Sequence, residues 1–184
     1  MKKHYELRKA CLNQKLKDRA SALGYAVMIM SRCHRSSSFQ IRTLQYWLAP
    51  AIEHEQILFL YDRTSIPIGF VIWAHLAPDS EHRLLYDPAF LLHPSEWNEG
   101  GRTWIIDFCF PCGAIRESLA MLKIFFLESG IKSVFWARRR IDYSIRKVSG
   151  FNIAGPVGAR SKMTPWNRSE GVTLYSLKRQ NDIQ

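Results

Sequence analysis

No apolar stretch in this 184-residue sequence is long enough to span a bilayer. The longest, "IPIGFVIWAHLA" (residues 66–77), is broken by Pro67 and Gly69 and falls short of the roughly 20 residues a spanning helix needs. The N-terminus, "MKKHYELRKACLNQ", is charged throughout and lacks the apolar block of a secretory signal, so a soluble cytoplasmic protein without a transmembrane segment is expected. Cysteine is also scarce. Cys11, Cys33, Cys109 and Cys112 make no disulfide framework for a chain of this size. Cys109 and Cys112 form a single C-x-x-C, without the second pair or the His pair that zinc would want, so buried thiols and no metal site are expected. There is no internal repeat and no established nucleic-acid motif.

Acidic residues are outnumbered, 16 against 26 lysines and arginines, and the excess is lopsided. From Ile131 onward eleven basic residues face only Asp142, Glu170 and Asp182, which places most of the +10 net charge in the last third of the chain. An acidic partner or a solvated basic tail would account for it. Hydrophobic content of 47% with 12% aromatics is enough for a real core, and the length fits one domain over residues 1–184.

The hydrophobic spacing predicts helix over residues 6–32, as one helix or two divided at Gly24, with a charged N-terminal helical part over residues 1–19. A second helix in "FQIRTLQYWLAPAI" should end near Leu48, because Pro50 limits it. "QILFLYD" and "IGFVIWAHL" read as a hairpin around "RTSIP". Residues 78–100 read as irregular, with room for a short helix. "RTWIIDFCF" is a strand, "AIRESLAMLKIFFLESG" an amphipathic helix stopped by Gly130, and "KSVFWARR" and "GVTLYSLK" are further strands. The basic segment over residues 156–184 closes the chain. This order describes an α+β domain.

Asp107 is the anomaly. It sits in "TWIIDFCF" between Ile106 and Phe108, where an ionised carboxylate is costly unless paired or hydrogen-bonded. Among six histidines, His54, His75, His82 and His93 look incidental. His34 closes the first helical region inside a polar knot of Ser31, Arg32, Cys33, Arg35 and three serines.

"SRCHR" (residues 31–35) and "GGRTWIIDFCFPCG" (residues 100–113) together resemble the toxin-activating lysine-acyltransferases of RTX haemolysin operons. That family carries a Ser-x-x-His-Arg element near its start and a Gly-[Asp]-Arg-x-Trp-x-Ile-Asp-[Trp] element in mid-chain. "GFVIWAHL" and "RKVSGF" fit stretches between and after them, so the likeness runs over about residues 20–155. It implies a GNAT-like acyltransferase fold, with a central, mostly antiparallel sheet flanked by helices, and transfer of a fatty acyl chain from acyl carrier protein to lysines of a protoxin. It also implies His34 and Asp107 as the essential pair, Ser31 as the serine one turn earlier, and allows a homodimer. Here Ser36–Ser38 replace the family's Asn/Asp-Trp-Pro, and Phe108 and Cys112 also depart from its pattern, which bears on the choice of substrate more than on the reaction.

The chemistry is consistent with that resemblance. A lysine ammonium, with an ordinary pKa near 10.4, must lose a proton before it attacks a thioester, and an imidazole is a suitable acceptor near neutral pH. A carboxylate bonded to that ring would stabilise the imidazolium, so Asp107 is expected to meet His34. Ser31 could bond the ring or an oxyanion, or only cap a turn. Cys33 is a rival nucleophile that helical geometry would turn away from His34. The link "FPCGAIRES" lacks the Gly-rich loop that holds a nucleotide pyrophosphate. This favours a donor presented as the 4'-phosphopantetheine thioester of acyl carrier protein, with no tightly bound cofactor, docking on Arg138, Arg139 and Arg140. The alternatives are a GNAT-like N-acyltransferase using acyl-CoA on a small amine or peptide, and a basic nucleic-acid-binding module. The module would leave Asp107 and His34 without a role.

Overall fold

The computed structural model describes residues 6–9, 15–87, 89–113, 115–140, 144–153 and 160–161. Seven strands form one sheet in chain order: β1 (Glu6–Lys9), β2 (Ile57–Tyr61), β3 (Pro67–Leu76), β4 (Arg102–Cys109), β5 (Ser133–Arg139), β6 (Ile145–Asn152) and β7 (Arg160–Ser161). Every neighbouring pair is antiparallel except β4–β5, which is parallel. A parallel pair needs a crossover, and α4 (Ile115–Glu128) supplies it. Helices α1 (Lys15–Ser31) and α2 (Ile41–Glu53) lie between β1 and β2 in the chain, and α3 (Pro78–Tyr86) between β3 and β4. The mostly antiparallel sheet flanked by helices agrees with the expectation.

Both faces of the central strands are covered, which is why β2 and β3 read as nearly continuous apolar runs. On one face Ile57, Phe59, Phe70, Ile72 and Ala74 pack against Ala26 and Ile29 of α1, Leu48 and Ile52 of α2, and Leu84 of α3. On the other, Leu58, Val71, Trp73 and Val134 pack against Leu122 and Phe126 of α4.

Three local expectations change. Residues 6–9 are a strand, not the start of a helix, because they pair with the edge of β2. The first helix is one piece that starts at Lys15 and continues through Gly24. The second runs past Pro50 to Glu53: Pro50, Ala51 and Ile52 are all buried, and that burial offsets the one hydrogen bond a proline removes. The short helix allowed within residues 78–100 is α3, with Pro78 in its first turn and Asp79 and Glu81 at the dipole's positive end. β6 lacks a clean alternation of apolar residues and carries no strand signal in its sequence. The strand expected in "GVTLYSLK" and the basic segment from residue 162 lie outside the described residues.

The register of β4 is the feature that matters most for the site. Trp73 pairs with Ile105 and Ile72 with Asp107, so Ile106 is an extra residue. A bulge of this kind switches which face the following side chains occupy. Trp104 and Ile106 face α1 and α2, Ile105 and Phe108 face α4, and Cys109 returns to the α1–α2 side. Strict alternation from Ile105 would have sent Asp107 towards α4. The bulge turns it towards α1 and α2. At the same point β4 separates from β5, whose pairing with it covers only Thr103–Val134, Trp104–Phe135 and Ile105–Trp136.

Gly100 sets the entry to β4. Its N–H donates to the His75 carbonyl at 2.9 Å, and a Cβ there would lie 1.6 Å from the Leu76 carbonyl oxygen, whereas one on Gly101 would meet nothing within 4 Å. Gly100→Ala is expected to cost at least ~2 kcal/mol, read as a lower urea midpoint, while Gly101→Ala stays within ~0.5 kcal/mol of the parent.

Candidate active site

The turn that carries His34 is built by the end of α1. Helix hydrogen bonding finishes with Arg32 and Cys33 donating to the Ile29 and Met30 carbonyls. The Cys33 carbonyl then accepts from both the Ser36 and Ser37 N–H groups at 2.9 Å. His34 and Arg35 stand exposed on this turn, and Ser36 is buried beneath it. Because α1 stops at Ser31, Ser31 and His34 do not share a helical face. The Ser31 hydroxyl instead donates to the Met28 carbonyl at 2.8 Å, so of the roles open to it in the sequence, the capping one is seen.

The turn sits against β4. Ser36 Oγ lies 3.9 Å from Cys109 Sγ, across 73 residues of chain. Two residues before Cys109, Asp107 accepts from the indole N–H of Trp47 on α2 at 3.1 Å and from the Phe108 backbone N–H at 2.7 Å. These two bonds, not the imidazole of His34, compensate the carboxylate. The fold thus brings the His34 turn and the Asp107 strand together without joining the two side chains directly. Arg35 couples the two segments by its charge.

The electrostatics follow from this packing. Burial pushes the Asp107 carboxyl above its ordinary value, opposed by the Trp47 and Phe108 hydrogen bonds and then by the charge of Arg35. Burial also pulls the Cys33 thiol up. The Ser36 hydroxyl and the backbone of Arg35 and Ser36 outweigh it, and the net effect is a lowered thiol. Its neighbour Cys109 is pushed up to about 12, by burial first and then by the nearby Cys33 and Asp107. Cys33 is therefore the reactive thiol of the pair and Cys109 the inert one.

The three arginines at the end of β5 do not form one patch. Arg139 is half-buried and donates to the Leu84 carbonyl of α3; its guanidinium is lowered by burial and then by Arg35. Alternation along the strand puts Arg138 on the opposite face, where it is exposed. Arg140, also exposed, brackets the Ser144 hydroxyl and the Ile145 carbonyl at 3.3 and 3.4 Å. The other described histidines have structural contacts: His75 with Thr103 at 3.0 Å, His54 with Pro94 and Asn98, His93 capping a short 3-10 helix, and His82 against the Tyr86 ring. No group of three or more potential metal ligands occurs among the described residues, and none of their helices is long and apolar enough to cross a membrane.

Trp47 and Arg35 were not singled out in the sequence. Arg35 lies inside the "SRCHR" motif, and Trp47 is a large residue whose buried N–H needs an acceptor; that need was the available signal. Trp47→Phe is expected to cost ~1.5–3 kcal/mol and to raise the Asp107 pKa further, measurable by carboxyl-carbon NMR. Since the folded pKa of Asp107 stands above its unfolded value of 3.8, its contribution to stability is full below 3.8 and is lost as pH rises through the folded value. Asp107→Asn should lose less stability than the parent on going from acid to neutral pH, followed by urea denaturation across that range. An identical slope in the two proteins would contradict this electrostatic assignment.

The sequence pattern of the RTX toxin acyltransferase family matches residues 15–151. The leukotoxin-activating lysine-acyltransferase LtxC of Aggregatibacter actinomycetemcomitans is 32% identical over 91 residues, 50% of this chain and 53% of its own length. The RTX-II toxin-activating lysine-acyltransferase ApxIIC of Actinobacillus pleuropneumoniae is 34% identical over 98 residues, 53% of this chain and 60% of its own. A leukotoxin-activating enzyme of Mannheimia haemolytica reaches 44% over 64 residues, 35% of this chain and 37% of its own. The chain therefore spans about half the length of the curated relatives it matches. Among solved structures, the loading GNATL domain of CurA from Lyngbya majuscula superposes with a TM-score of 0.50 at 16% identity, over 74% of this chain and 65% of that one, which identifies the fold as GNAT-like. With its two motifs meeting at one end of such a sheet, the chain belongs to the RTX toxin acyltransferase family.

Proposed function

We propose that the protein is a lysine acyltransferase that takes a fatty acyl chain from the 4'-phosphopantetheine thioester of acyl carrier protein and places it on a lysine of a protoxin or similar protein or peptide. The observation that carries this reading is the meeting of the His34 turn with Asp107 where β4 parts from β5. It is supported by the relatives' names as toxin-activating lysine-acyltransferases.

In the proposed reaction the neutral lysine Nζ attacks the thioester carbonyl carbon. The C–N bond forms, the C–S bond breaks, and the pantetheine thiolate leaves. His34 takes the proton from the attacking nitrogen and can return it to the thiolate. The bonds from Trp47 and Phe108 hold Asp107 on a rigid strand, and its carboxylate favours the transient imidazolium once bound substrate draws the His34 turn onto it. The charge of Arg35 lies on the same turn, available to the oxyanion that develops on the thioester oxygen. Catalytic hydrogen bonds often tighten only with substrate bound, so the missing His34–Asp107 contact is compatible with this division of labour. Arg138, exposed on the α4 side, is the best placed of the three arginines to meet an acidic carrier.

The lowered Cys33 thiol favours one variant, in which the acyl group passes first to Cys33 Sγ and then to lysine. Intact-mass measurement separates the routes. With acyl carrier protein and a lysine peptide, the peptide should gain one acyl mass. His34→Ala should slow this at least ~100-fold without loss of fold, since His34 is exposed. Cys33→Ser should remain active if transfer is direct and fail if it is covalent. No acyl gain with any donor would overturn the proposed function. Arg138→Glu should raise the KM for the carrier several-fold at low salt, an effect that fades as ionic strength rises.

A further inference from the structure

A cleft of about 510 Å³ opens beside Arg139, between the end of α3 and the facing ends of β5 and β6. Its apolar lining comes from Leu85, Ile145 and Val148, with the ring of Tyr86 at the rim. The β5–β6 register slips between Arg138 and Arg139, so that Arg138 pairs with Lys147 and Arg139 with Ile145. The slip brings Ile145 into the same cleft as Val148, as the bulge in β4 re-aims Asp107. The cleft lies on the α1–α3 face, since Leu85 and Val148 pack against that core. It shares its core with the reactive end: Leu85 and Val148 pack against the same cluster as Cys33 and Ile106, the chain neighbours of His34 and Asp107.

We propose that this cleft holds the acyl chain of the donor, as a site for a linear saturated hydrocarbon. The inference rests on the acyltransferase reading above and adds where the chain goes. The choice between chain and acceptor lysine follows from charge. Three polar groups of the lining bond to protein: Asp87 accepts from the Ala89 N–H at 2.9 Å, Arg139 donates to Leu84, and Ser144 meets Arg140. Between them Leu85, Ile145 and Val148 present apolar surface. A lysine ammonium entering here would face the Arg139 guanidinium as well as the Asp87 carboxylate, and would give up its water for an apolar floor that cannot solvate it. A neutral hydrocarbon meets no such penalty and gains by leaving water, about fourfold in affinity for each buried methylene.

Two side-chain changes test the assignment, with transfer measured from carrier-linked chains of 8 to 16 carbons. Ile145→Trp narrows the cleft and should cost long chains about fourfold per methylene displaced, while short-chain transfer and the KM for the acceptor peptide stay at the parent's values. Ile145→Ala widens it and should shift preference towards longer chains. A uniform loss at every length, or a raised acceptor KM with unchanged chain preference, would overturn the assignment. Calorimetry with octanoyl- and hexadecanoyl-pantetheine separates the cleft from the reaction. If the parent transfers no chain, yet binds the longer thioester more tightly and Ile145→Trp erases that difference, the function fails and the chain site stands. Equal binding of the two lengths by the parent overturns the chain site.

Discussion

One extra residue in β4 decides where the carboxylate points. Ile106 has no partner in β3, and from there onward the strand's faces exchange. Asp107 and Cys109 therefore look towards the helices that carry Trp47 and the His34 turn, instead of into the apolar layer formed with α4. In that layer Asp107 would stand with Ile105, Trp73 and Phe126, and no polar group there could meet it at a tolerable cost. The β4–β5 pairing ends at Ile105–Trp136, next to the bulge. A gap between parallel strands and a re-aimed carboxylate thus arise from the same local event, as bulges at functional sites commonly allow.

The charges around the carboxylate form a short series: Asp107, then Arg35, then Arg139. Arg35 helps hold the carboxyl down against its burial and disfavours the protonated form of Arg139. The local balance is thus one acid between hydrogen-bond donors and two guanidiniums. Under the proposed reaction this surplus works in two ways. It stabilises negative charge on a thioester oxygen, and it lowers the pKa of an amine held nearby, because an ammonium beside fixed cations loses its proton more readily. The base then has less to do than it would for a lysine in water.

Much of this was legible in the sequence, and what was not has identifiable causes. β2, β3, β4, β5 and α4 were readable because their apolar residues are dense and Gly130, at φ +73°, ends the helix. That Asp107 needs a partner was also readable. The identity of the partner was not, since strict alternation gives no sign of the bulge and places Asp107 on the wrong face. Trp47 lies in a helix that was expected to stop near Leu48, and nothing local links it to a strand 60 residues away. The shared face expected of Ser31 and His34 assumed a helix that continues, whereas it ends at Ser31 and the chain turns. The basic run of Arg138, Arg139 and Arg140 looked like one patch in a linear sequence, but a strand sends alternate side chains to opposite faces.

Helix α3 illustrates how far a surface insertion can depend on buried charge. Glu81 is 3% exposed and accepts from Arg102 at 2.9 Å, which ties the helix to the first residue of β4. Arg83 bonds Glu96 at its other side, and Arg139 reaches the Leu84 carbonyl from β5. A buried ion pair repays little net stability once desolvation is counted; an apolar pair of the same shape could hold the helix as firmly. What the ionic pairs add is direction. Arg102 and Arg139 stand on strands either side of the parallel junction, so α3 is held against both, and Leu85 and Tyr86 take their places along the cleft as a consequence. The wall of that cleft is therefore set by the same two strands whose separation frames Asp107, which couples the geometry of the chain site to that of the reacting end.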